Sequence, residues 1–86
     1  MRVTVLFFAR LRELAGRAEW VCEVPDAATV AAVWRACQDA TPAISALSSS
    51  VSCAVNEDFA PMDTVVHDGD EVAFLPPVSG GAGTNQ

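Results

Sequence analysis

Pro76 and Pro77 constrain the fold of this 86-residue chain more than any other pair of residues. Two adjacent prolines fix φ twice and remove two backbone donors, so no strand or helix continues through them and the chain leaves in an extended path. The compact body is therefore residues 1–75. Behind it, Pro76-Pro77-Val78-Ser79-Gly80-Gly81 forms an extended tail over 76–81. Six residues at full stretch reach roughly 20 Å. Gly80 and Gly81 have no Cβ, so the backbone there passes through a channel too narrow for other residues. Such a tail has a suitable shape for presenting a carboxylate inside the buried site of another protein. Residues 82–86, Ala-Gly-Thr-Asn-Gln, are small and polar and form an extension expected to be mobile and open to proteolysis.

A body of this size is one domain, burying about 60–65% of its unfolded surface. Half the chain, 51%, is apolar, which suits a globular fold and not a disordered one. No apolar run approaches the roughly 18 residues of a membrane span. Met1-Arg2 leads directly into strand-like sequence without a signal-peptide layout, so a cytoplasmic protein with no membrane partner is expected. Cys22, Cys37 and Cys53 are three, widely spaced and set among apolar residues, a pattern of core thiols and not of disulfides or zinc ligands. Eleven acids stand against five arginines, for a net charge of −6. That balance disfavours nucleic acid, whose binding is built on cations, and suits either a basic protein partner or solubility alone. The chain has no lysine, so an activated acyl group on the tail would meet no side-chain amine on another copy.

Val3–Phe8 is β-branched and aromatic and reads as a central strand buried on most of both sides. Ala9–Gly16 gives one or two helical turns stopped by Gly16. Glu19–Val24 alternates, with Trp20, Cys22 and Val24 on one face, and Pro25 closes it. Thr29 is placed to cap a helix whose Val30, Val33, Trp34 and Cys37 fall at i, i+3, i+4 and i+7, one apolar stripe. Pro42 opens a short further turn carrying Ile44 and Leu47. Strands are expected at Val51–Val55, from Phe59 to the limit set by Pro61, and at Glu71–Leu75, with a tight turn at His67–Asp70. The order defines an α+β roll with one main helix across a mixed sheet of four or five strands, the last strand beside the first.

Three stretches then carry a resemblance: Leu6-Phe7-Phe8-Ala9 with Arg12-Glu13-Leu14, Ala54-Val55-Asn56, and Asp68-Gly69-Asp70-Glu71-Val72-Ala73-Phe74 with Pro76-Pro77-Val78 and Gly80-Gly81. Together they resemble the small subunit of molybdopterin synthase, a sulfur carrier with the ubiquitin-like β-grasp fold. The resemblance implies a non-catalytic carrier and co-substrate that itself binds no cofactor. The carboxylate of Gly81 would be adenylated with MgATP on a separate activating enzyme of the ubiquitin-activating type, then converted by a sulfur donor to a thiocarboxylate. The tail, with Gly80 threading behind Gly81, would enter the large synthase subunit, in an expected heterotetramer, and give sulfur to cyclic pyranopterin monophosphate. It also implies a partner-binding surface at Phe59, Leu75, Pro76, Pro77 and Val78. Arg12 is either a polar contact on that surface or an ordinary helix cation. Because Ala82 follows Gly81, trimming by a protease is expected before activation. Two alternatives stay open: a carrier of the same fold for a cysteine or thiamine route, or a β-grasp module that only docks.

The remaining polar residues read as structural. His67 is a solvated or capping turn residue, Trp34 belongs to the core, and Asp68, Asp70 and Glu71 surround a turn glycine without completing a calcium-loop pattern. No metal is expected.

Overall fold

In the computed structural model, which describes residues 1–77, eight elements follow one another. They are β1 (Arg2–Phe7), α1 (Ala9–Ala15), β2 (Glu19–Glu23), α2 (Val30–Ala40), a 3-10 turn (Pro42–Leu47), β3 (Ser52–Val55), β4 (Asp58–Phe59) and β5 (Glu71–Leu75). The five strands form one sheet in the order β2-β1-β5-β3-β4. Only β1 and β5 run parallel; the other pairs are antiparallel. The last strand lies beside the first, at the centre of the sheet. Among the described residues no helix is long and apolar enough to cross a membrane.

One face of the sheet is the core. Val3, Val5 and Phe7 of β1, Val72 and Phe74 of β5, Cys22 of β2 and Cys53 of β3 point into it. The helices close it with Leu11 and Ala15 from α1 and with Val30, Val33, Trp34 and Cys37 from α2. The four α2 residues are the stripe their spacing requires, and they lie over the sheet's central strand: the Trp34 and Phe74 rings are 4.8 Å apart and tilted by 57°. Trp34 Nε1 donates to Ser48 Oγ at 3.2 Å, so the one polar atom of this core aromatic has a partner.

The start of α2 is held by its surroundings as well as by its cap. Thr29 is extended, and its Oγ1 accepts from the backbone N–H of Ala32. The two preceding amides, of Val30 and Ala31, have no intrahelical acceptor, and they donate to the carbonyls of Thr64 and Met62. The loop 61–66 thus ties α2 down. Its Val65 forms a single bridge to Thr29.

The expectation that β1 is buried on most of both sides is corrected. Val3, Val5 and Phe7 are buried, whereas Thr4 and Leu6 are half-buried and Phe8, just past the strand, is 45% exposed. Both helices pack on one face of the sheet, and β1 carries apolar residues on the other face that no element of the described chain covers.

Candidate functional site

Strand alternation builds the uncovered face. With Val72 and Phe74 turned into the core, Glu71, Ala73 and Leu75 of β5 turn outward. Register then sets Leu6 of β1 and Ala54 of β3 on either side of Ala73, and Phe59 of β4 beside Ala54. The row Leu6, Ala73, Ala54, Phe59 crosses four strands with two small residues at its centre, which leaves a hollow between the larger ends. This open hollow is about 300 Å³, and Phe8 and Leu75 line it toward the tail. Phe59 is 81% exposed, an unusual state for a phenylalanine on a folded surface. Among the described residues, the only charged side chains lining the hollow are Glu57 and Glu71.

Phe59 and Leu75, named from sequence, are therefore brought together. Pro76 and Pro77 continue from Leu75 and, with Ala9, Arg10 and Leu47, line a second hollow of about 350 Å³ at the root of the tail. Ala9 takes a left-handed φ of 51°, which turns the chain from β1 into α1 beside this exit. Arg12 is exposed on α1 and lines neither hollow; its backbone carbonyl accepts from Gly16, whose φ of 74° ends the helix. Val78, Gly80 and Gly81 lie outside the described residues. Sequence reasoning missed Leu6, Phe8, Ala54, Ala73 and Glu57. The available signal was parity: if Phe7 and Phe74 are core, then Leu6, Phe8, Ala73 and Leu75 share the opposite face.

At the start of β5, the acidic turn is a structural clasp. Asp68 Oδ1 accepts from the backbone N–H of Arg2 at 2.8 Å. Asp70 accepts from Asn56 Nδ2 at 3.0 Å and from the backbone N–H of His67 at 2.8 Å, while Asn56 Oδ1 accepts from the amide of Glu71. These bonds, that from Asn56 foremost, hold the Asp70 carboxyl below its usual range. The His67 ring lies 3.7 Å from Asp70 at the surface. Asp68 and Asp70 each bond a separate backbone segment, and among the described residues no three metal-ligating side chains converge. All three cysteines are free and buried, and burial pushes each thiol up.

A mixed sheet folded around one helix, with a bare apolar outer face leading into a stiff proline exit, defines a β-grasp protein of the ubiquitin-like type. The profile of the ThiS family matches residues 5–81, and the chain belongs to that family. Among its relatives, the molybdopterin synthase sulfur carrier subunit of Chlamydomonas reinhardtii is 37% identical over 83 residues, covering 94% of this chain and 100% of that one. The molybdopterin synthase sulfur carrier subunit of Escherichia coli (strain K12) is 40% identical over 83 residues, covering 92% of this chain and 99% of its own. In three dimensions the chain is similar to SAMP1 from Haloferax volcanii, with a TM-score of 0.85 and 30% identity over 93% of this chain and 99% of that one.

Proposed function

We propose that the chain is the sulfur carrier of a molybdopterin synthase, bearing its sulfur as a thiocarboxylate on Gly81. The observation that carries this reading is the span of the family match, which runs through the body and the tail and stops at Gly81, together with nearly full-length relatives named as that carrier.

The chemistry follows from what a glycine carboxylate can do. Hydrolysis of the Gly81–Ala82 bond frees the carboxylate. A carboxylate is a poor acceptor for sulfur until its oxygen is converted to a leaving group. On the activating enzyme a carboxylate oxygen attacks the α-phosphorus of MgATP and pyrophosphate departs. The terminal sulfur of a donor persulfide then attacks the acyl carbon and the C–O bond to AMP breaks. A thiol cleaves the resulting acyl disulfide, taking the donor's sulfur into a new disulfide and leaving the thiocarboxylate. The apolar face at Leu6, Phe59 and Leu75 docks on the large subunit, and Pro76 and Pro77 aim the tail at its site, where cyclic pyranopterin monophosphate receives the sulfur.

The test is a reconstitution with residues 1–81, the activating enzyme, MgATP, a persulfide donor, the large subunit and cyclic pyranopterin monophosphate. Formation of the dithiolene product, lost when Gly80 and Gly81 are deleted, is the expected outcome; no sulfur transfer with all components present would reject the reading. The likeness to SAMP1, a small archaeal modifier protein, favours one second reading, in which the activated Gly81 carboxyl is joined to an amine of another protein. Covalent conjugates in place of dithiolene product would identify it.

A further inference from the structure

The two-residue turn Asn56-Glu57 joins β3 to β4, and both residues have positive φ, 51° and 75°. Tight hairpins use this left-handed geometry because it matches the twist of the strands, and glycine is the favoured second residue. Asn56 has a structural reason for its conformation: its side chain bonds Asp70 and the amide of Glu71. Glu57 has none. Among the described residues its carboxylate makes no hydrogen bond and no ion pair, and a β-carbon at φ 75° is held in a conformation that L side chains avoid. The same side chain lines the outer hollow beside Phe59, and no cation among the described residues lines that hollow. The turn accounts for the backbone but not for a glutamate in place of glycine, and its unpaired charge at the edge of an apolar surface is open to a group outside the chain.

We infer that Glu57 is a specificity-determining contact of the docking face, pairing with an arginine or lysine that the partner sets beside its own apolar patch. The inference rests on the reading of this face as the surface that docks the large synthase subunit. An acidic edge on an otherwise apolar patch, in a chain of net charge −6, is complementary to an apolar patch with a basic rim. The pair lies at the rim, so it tunes encounter and selectivity while Phe59 and Leu75 supply the buried area.

The test compares the full chain with Glu57→Gln, Glu57→Gly and Phe59→Ala in calorimetric titrations against the cognate large subunit at low and high salt. Glu57→Gln keeps the turn and removes the charge; affinity is expected to fall roughly 3–10-fold at low salt, with the difference vanishing at high salt. Glu57→Gly relaxes the backbone as well, so its Tm is expected to rise by about 3–6 °C while its affinity falls like that of the glutamine variant. Opposite movement of stability and binding is a signature that a merely structural residue does not give. Unchanged affinity for both Glu57 variants, with Phe59→Ala weakened, overturns the role of Glu57 and leaves the docking face standing. Unchanged affinity for Phe59→Ala overturns the docking face and this inference with it.

Discussion

At Cys37 burial dominates the chemistry. Its thiol is pushed up to about 12, by desolvation first and by neighbouring Cys22 second, with Arg17 drawing it partly back. The nucleophile is the thiolate, so alkylating reagents at pH 8 are expected to leave Cys37 unmodified in the folded chain and to label it fully in denaturant. Mass spectrometry after brief exposure checks this, and fast labelling of the folded protein would contradict it. Asp70 is the titrating group that matters to the clasp. Its carboxyl is held below the usual range, so its contribution to stability is present above the unfolded carboxyl value of about 3.9 and is lost as pH falls through the folded value. Asp70→Asn is expected to be about 1–2 kcal/mol less stable at neutral pH and to lose less stability on acidification; urea titrations across pH measure both, and parallel pH profiles would refute the assignment. The core role of Trp34 and the buried cysteines were legible in the sequence from their apolar surroundings. The conformation of Glu57 was not, because nothing in Asn56-Glu57-Asp58 reveals that two successive residues turn left-handed.

Among the elements, β5 shows most sharply how one strand serves two purposes. Phe74 packs against Trp34 in the core, while its neighbour Leu75 turns to the outer hollow. Phe74→Ala is expected to cost about 3–5 kcal/mol of stability. Phe59→Ala, on the outer face, is expected to change stability by no more than about 0.5 kcal/mol and to weaken large-subunit binding by roughly tenfold or more. Thermal unfolding and calorimetry separate the two, and a Phe59→Ala variant as unstable as Phe74→Ala would contradict the division of faces. The bounds of β5, the stripe of α2, the Thr29 cap and the Gly16 stop were all written locally, in alternation, helical spacing and turn residues. The bare face of β1 was not. Val3–Phe8 is apolar at nearly every position, and a run of that kind does not tell a covered face from an exposed one; only the packing of both helices on the same side does.

For the whole molecule, the acidic body, the bare sheet face and the proline exit act in one direction. The face lies on the strands that lead to Pro76 and Pro77, so under the proposed function docking would fix where the tail begins, and two prolines would restrict its first steps. Binding energy from a surface far from the reacting atom would in that reading serve to position it. Of this arrangement, Pro76-Pro77 announced the end of β5 at Leu75, and the family match extends to Gly81, which itself lies outside the described residues. The most direct measurement is the intact mass of the protein purified from its own cells, before and after incubation with activating enzyme, MgATP and a sulfur donor. The account predicts a chain ending at Gly81 that becomes heavier by one sulfur-for-oxygen exchange. A chain that always retains Ala82 and never gains sulfur would contradict it.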